Sequence, residues 1–221
     1  MTTEKDVKAI REAVKRKKHT TYTPVTPDKQ YGFIHNNVDC IGCRACEIAC
    51  KDKNGLAPGP RFRRVQYIEG GTYPEVFAYK VNMSCNHCAE PACLPTCPTG
   101  AIFKRKQDGI VDIDSTLCIG CRRCEAACPF GAPQFDVAEN IVKKCNMCVD
   151  EIDAGRKPYC VMACIMRVLD IGPIEKIWDG THETVAIGTN DSVSRQVKNM
   201  ADIELTKPSI GFVAHSKGKV K

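Results

Sequence analysis

Residues 118–129 read Cys-Ile-Gly-Cys-Arg-Arg-Cys-Glu-Ala-Ala-Cys-Pro, and no other stretch limits the fold of this chain so strongly. The spacing is C-x2-C-x2-C-x3-C-P, the ligand run of bacterial [4Fe–4S] ferredoxins. Three thiolates two residues apart lie on one tight loop and cap three corners of one cube. The fourth, after a longer step, is expected at the start of a helix, turned toward a second cube. In two-cluster ferredoxins that fourth cysteine ligates the other cluster. One such run therefore predicts another.

The chain supplies it. Cys40, Cys43, Cys46 and Cys50 stand in Cys-Ile-Gly-Cys-Arg-Ala-Cys-Glu-Ile-Ala-Cys, which differs from the run at 118–128 at two positions only. This is an internal repeat. Each copy predicts a helix after the third cysteine, stopped by Asn54-Gly55 in the first and by Pro129 in the second. A looser group is Cys85, Cys88, Cys93 and Cys97, and another is Cys145, Cys148, Cys160 and Cys164. Together with Cys118, Cys121, Cys124 and Cys128 these use all 16 cysteines.

Tight clustering, a length of 221 residues and no recognisable signal peptide argue against a disulfide-stapled secreted domain. Zinc is the rival, since CxxC pairs suit four-cysteine zinc sites. Three cysteines in C-x2-C-x2-C, twice, fit cube ligation better than paired zinc knuckles. The formal charge of +6 is mostly an offset to bound thiolates. Four cluster cores of roughly +2 each, held by every thiol, leave the loaded chain near about −2. A nucleic-acid partner is therefore not expected. No apolar run reaches the ~18–20 residues of a membrane-spanning helix, so no direct membrane span is expected. There is no P-loop, no GxGxxG and no Ser/His/Asp arrangement with a recognisable context.

Taking the fourth-cysteine exchange throughout gives a topology. One cluster takes Cys40, Cys43, Cys46 and Cys164, and its partner takes Cys145, Cys148, Cys160 and Cys50. An inner pair takes Cys85, Cys88, Cys93 with Cys128, and Cys118, Cys121, Cys124 with Cys97. The fold class is α+β: two nested ferredoxin-like modules with short strands, short helices and long loops. Residues 31–84 and 140–175 form the outer module and 85–139 the inner one. Residues 1–30 are an N-terminal arm with a short amphipathic helix over 4–18. Residues 176–221 are a mostly irregular C-terminal extension. Strands are expected at Tyr31–Asn36, around Phe62–Ile68, at Val76–Met83 and at Val168–Gly172. Hairpins are expected across Gln107-Asp108-Gly109 and between Gln134–Val137 and Ile141–Lys144. Arg44, Arg122 and Arg123, beside the ligands, are candidates for tuning potentials, and His87 reads as a surface histidine.

Over about residues 30–175 the chain resembles the four-cluster electron-transfer subunit of the dimethyl sulfoxide reductase type of molybdenum enzymes. The residues that carry this are Tyr-Gly-Phe at 31–33, Phe-Arg-Arg at 62–64, Ser-Cys-Asn-His-Cys-Ala-Glu-Pro-Ala-Cys at 84–93, Cys-Pro-Thr-Gly-Ala at 97–101, Cys-Pro-Phe-Gly-Ala-Pro-Gln at 128–134 and Leu-Asp-Ile-Gly-Pro-Ile at 169–174. The resemblance implies four [4Fe–4S] clusters, because the third group keeps all its ligands. It implies a molybdopterin-containing catalytic subunit and a quinol-linked membrane anchor as partners, with no catalysis by the chain itself. It places the chain peripherally in a membrane-associated complex, on the periplasmic face as in relatives, with a cytoplasmic complex the alternative. Related wires serve formate dehydrogenases, hydrogenases and polysulfide reductases. A zinc-stabilised interaction module is the reading from another class.

Overall fold

A computed structural model describes residues 27–183 and 193–218. The helix expected over 4–18 lies outside the described residues. The predicted strands are present, short and placed around the cysteine groups. Among the described residues, one four-stranded sheet and three two-stranded hairpins account for the extended chain.

β1 (Tyr31–Asn36) is buried along nearly its whole length. It pairs antiparallel with β8 (Leu169–Pro173), with Phe33 opposite Ile171. On its other side lies β10 (Ile210–Val213), in parallel register with Phe33 opposite Ile210 and Asn36 opposite Val213. The short β9 (Val193–Ser194) closes that edge, so the order is β8-β1-β10-β9. Both faces of β10 are covered, which is what a parallel pair usually requires. The extension expected after residue 175 is irregular over most of its described residues, but it adds a strand to the main sheet. Its strand is a central one, built from the continuous apolar run Ile210-Gly-Phe-Val213 that reads as a fully buried strand. A helix, α5 (Ile174–Trp178), packs on this sheet. Ile174 and Ile177 meet Ile34 and Val213 there. Gly32 in β1 is required by that contact, since a Cβ would lie 2.5 Å from the Ile174 side chain.

The longest hairpin joins β2 (Arg64–Thr72) to β3 (Glu75–Met83), in register from Arg64–Met83 to Thr72–Glu75. Its base is buried and its tip exposed. β4 (Ile102–Lys104) pairs with β5 (Val111–Ile113) across the expected turn, and β6 (Gln134–Asp136) with β7 (Ile141–Lys143). The helices are brief: α1 (Ala45–Lys53), α2 (Arg123–Ala127), α3 (Val149–Asp153) and α4 (Tyr159–Met162).

Apolar side chains alone do not make the interior. Cys46, Cys50, Cys85, Cys93, Cys124, Cys145, Cys148, Cys160 and Cys164 are all buried among Phe33, Tyr79, Val81, Phe212 and their neighbours. Six of them sit in the largest apolar cluster itself. The core is organised around thiols rather than merely containing them.

Candidate metal centres

The two repeat copies fold alike. In each, glycine takes a positive φ, +74° at Gly42 and +67° at Gly120. The arginine after the second cysteine then caps the helix from the left-handed region, at φ 60° for both Arg44 and Arg122. Two such turns wind Cys-Ile-Gly-Cys tightly enough for its thiols to face one hollow. The helices begin one residue before the third cysteine. Cys46 and Cys50 share one face of α1 at i, i+4, and Cys128 ends α2. The fourth cysteine therefore does not start a helix as expected. It lies one turn further along the helix that holds the third.

α1 packs on α4, and the same i, i+4 step recurs there in Cys160 and Cys164. Cys40, Cys43, Cys46 and Cys164 line one recess of about 330 Å³, part of it open to solvent. Cys85, Cys88, Cys93 and Cys128 line a second, of about 360 Å³. Near Cys50 stand the thiols of Cys148 and Cys160, and near Cys145 those of Cys50 and Cys160. Cys124 stands near Cys97, Cys118 and Cys121. Neighbouring groups also meet: Cys46 lies near Cys160 as well as Cys164, and Cys145 near Cys85 as well as Cys50.

Do such pockets suit a cluster? Burial pushes the Cys46 and Cys124 thiols up to about 11 and those of Cys50, Cys88 and Cys93 up to about 12. Cys145, wholly buried, is pushed higher still by the same cause. A thiol so placed stays protonated unless a metal takes the proton's position. Cys97 is the exception. Burial opposes its thiolate too, but hydrogen bonds from Thr99 and from backbone N–H groups outweigh it and lower the value. Donors also reach other sulfurs. Asn82 Nδ2 is 3.2 Å from Cys46 Sγ, Val142 N is 3.4 Å from Cys118 Sγ, and Met147 N is 3.4 Å from Cys145 Sγ. Donors of this kind suit thiolate sulfur bearing cluster charge.

All sixteen cysteines are free of disulfides. Among the described residues, no three His, Cys, Asp or Glu side chains gather as around a single ion. The donor set and its spacing fit clusters.

Exposure separates the four sets. Cys43 and Cys121 are exposed, one in each repeat copy, whereas Cys50, Cys145, Cys148 and Cys160 are all buried. Beside the exposed pair stand Ile41 and Ile119, 52% and 56% exposed.

Charge near the thiols lies elsewhere than expected. Arg44, Arg122 and Arg123 are exposed. Arg44 stacks over Tyr67, and Arg122 over Phe135 while pairing with Glu125 at 2.7 Å. The buried cations are Arg63, Lys104 and Lys144, which the motif reading passed over. Arg63 and Lys144 each flank a strand: Arg63 stands just before β2, next to the buried Phe62, and Lys144 just after β7, two residues from the buried Val142. His87 is fully buried, not on the surface, and its Nδ1 accepts from Val111 N at 3.1 Å.

Comparison with known proteins agrees with this site. The 4Fe-4S dicluster domain family matches residues 76–174. The chain is 46% identical over 156 residues to the B chain of anaerobic dimethyl sulfoxide reductase from Escherichia coli, covering 67% of this chain and 76% of that one. It is 41% identical over 146 residues to the B subunit of sulfite dehydrogenase from Allochromatium vinosum, covering 57% and 61%. It is 38% identical over 152 residues to the thiosulfate reductase electron transfer subunit of Salmonella typhi, covering 66% and 78%.

Proposed function

This chain belongs to the family of iron–sulfur electron-transfer subunits typified by the B chain of dimethyl sulfoxide reductase, and from that premise we propose that it holds four [4Fe–4S] clusters in a row and is itself non-catalytic. When bound, each cluster takes up and releases one electron. The chain's own residues hold the clusters, keep water from the middle of the row and expose its ends.

The observation that carries this reading is the pattern of burial. The sets with exposed thiols are the repeat copies, Cys40, Cys43, Cys46 with Cys164, and Cys118, Cys121, Cys124 with Cys97. The sets of Cys145, Cys148, Cys160 with Cys50, and of Cys85, Cys88, Cys93 with Cys128, lie between them. Cys145 faces Cys85 as well as Cys50, which supports the order. A row with buried middle and open ends is what a relay between two partners needs. Ile41 and Ile119 offer an apolar contact at either end.

One partner in this proposal is a molybdopterin-containing catalytic subunit. The other is a quinol-linked membrane anchor, as the resemblance to the dimethyl sulfoxide reductase chain implies. Identity to the dimethyl sulfoxide reductase chain exceeds that to the sulfite and thiosulfate enzymes, which favours a reductase of the first type. On this reading the complex sits at the membrane, on the periplasmic face as the resemblance implies, with the cytoplasmic face the alternative. The outer module spans 31–84 and 140–175 and the inner one 85–139.

The test is iron, acid-labile sulfide and zinc on anaerobically purified protein, with a redox titration followed by EPR. About 16 iron and 16 sulfide per chain and four one-electron couples are expected. Zinc with little iron would reject the reading.

A further inference from the structure

Arg63 is 2% exposed, and no carboxylate among the described residues pairs with it. Its Nη1 donates to Asn82 Oδ1 at 2.9 Å and its Nη2 to Ser84 Oγ at 3.0 Å. The guanidinium lies 4.2 Å from the centre of the Phe33 ring, and Nε has no partner. A full charge is thus buried against neutral groups, which is costly unless some other negative charge compensates it. The groups that supply it are thiols. Arg63 faces Cys160, Cys145, Cys46 and Cys50. The first, second and fourth of these belong to one ligand set and Cys46 to its neighbour.

Lys144 repeats the arrangement one junction further on. It is 5% exposed, and its Nζ donates to the carbonyls of Val111 and Cys145. It lines the recess of Cys85, Cys88, Cys93 and Cys128. The anionic groups it faces are Cys85, Asp112, Cys93 and Cys145. A third buried cation, Lys104, is held by the carbonyls of Cys88 and Ala89 and faces Cys88 and Glu90. It touches one set only. At the far end, the set of Cys118, Cys121, Cys124 and Cys97 has the exposed and already paired Arg122.

We propose that Arg63 and Lys144 are counter-charges built into two successive junctions of the row, each raising the reduction potential of the clusters on both of its sides. The step concerned is the gain of one electron by one cluster, with no bond made or broken. A fixed cation nearby stabilises the more negative, reduced form. Inside the protein that effect is weakly screened, unlike the effect of a surface arginine. The two residues act through the clusters' surroundings and are positioning residues.

The inference rests on the four-cluster reading, and one experiment separates the two. EPR-monitored redox titration is run on the full chain with its clusters, alongside iron content. Wild type with fewer than four couples would defeat the four-cluster reading. In Arg63→Gln with full iron, two of the four couples should fall about tenfold in reduction equilibrium, or about 59 mV for one electron. Lys144→Gln should lower two, one of them shared with the Arg63 variant. Arg63→Lys keeps the charge and should stay within about threefold of wild type. Asn82→Asp leaves Arg63 in place but sets a carboxylate against it; because it also removes the donor to Cys46, it is read only at the couple of the Cys50, Cys145, Cys148 and Cys160 set, which should fall.

Full iron with all couples unmoved in Arg63→Gln, or all four lowered alike, would overturn the proposal and leave the wire standing. If Arg63→Gln does not hold its iron, Asn82→Asp decides at the couple of the Cys50, Cys145, Cys148 and Cys160 set. Iron lost from Arg63→Lys as well would show that the site needs the fork's shape rather than its charge, and would also overturn it.

Discussion

The two repeat copies share a backbone and differ in what surrounds it. Residues 40–50 and 118–128 make the same pair of left-handed turns, bury their third cysteine and expose their second. The first copy continues into a nine-residue helix backed by the β2–β3 hairpin. Its Glu47 is buried and accepts from Val65 N, so helix and hairpin are tied together. The second copy is cut short by Pro129. Its Glu125, at the matching position, reaches only the exposed Arg122. Near-identical ligand loops are thus set against different supports, one with a buried arginine beside it and one without. The loop fixes where the iron goes. Under the proposal above, the support sets stability and potential.

The comparison can be broken first by removing ligands. Cys164→Ser should cost the cluster of the first copy and Cys97→Ser that of the second, each about four iron per chain. Cys164 is buried in the largest apolar cluster, so its variant should also show the larger fall in unfolding temperature. Loss of the cluster held by Cys145, Cys148 and Cys160 in Cys164→Ser, detected by EPR, would refute the exchange of fourth cysteines.

Glycine replacements come next. A left-handed residue with a Cβ costs about 1–2 kcal/mol. At Gly42 the added carbon meets the Tyr67 side chain, but at Gly120 it meets the backbone carbonyl of Asn140. Gly120→Ala should therefore destabilise by about 3 kcal/mol and Gly42→Ala by about 2 kcal/mol, in thermal unfolding of the loaded protein. Equal losses would mean that the supports give equally.

The acidic pair sharpens the contrast further. Glu47→Ala leaves a buried N–H without its acceptor and should cost about 1–3 kcal/mol. Glu125→Ala breaks a surface pair and should cost less than about 0.5 kcal/mol. The smallest effect belongs to the exposed arginines. Arg44→Gln and Arg122→Gln should move no couple by more than about threefold, because solvent and salt screen them. A shift as large as that expected for Arg63→Gln would erase the distinction between surface and buried charge.

Much of this was legible in the sequence where covalent spacing decides the outcome. The ligand runs, the repeat, the hairpin at Gln107-Asp108-Gly109 and β1 each rest on a few neighbouring residues. What was not legible depends on distant partners. β10 needs β1 beside it before its apolar run is distinguishable from a helix segment. Arg63 and Lys144 look like surface charges until the strands they flank are packed, because charge next to an apolar residue usually means solvent. His87 was misplaced for the same reason. The helices start two residues earlier than expected because Arg44 and Arg122 accept a conformation that favours glycine, which no propensity announces.

The position of β10 has a consequence for the chain as it leaves the ribosome. β1 emerges early, but its parallel neighbour is almost the last described segment to be made. The ligand groups from Cys85 to Cys128 are all synthesised before Cys145 exists. The middle of the chain can therefore acquire its metal while β1, the first copy and their later partners are still apart. Pairing across so long a span is slow because the loop must close before any contact repays it. Maturation should run from the centre outward, with the β8-β1-β10-β9 sheet as the clasp that shuts last.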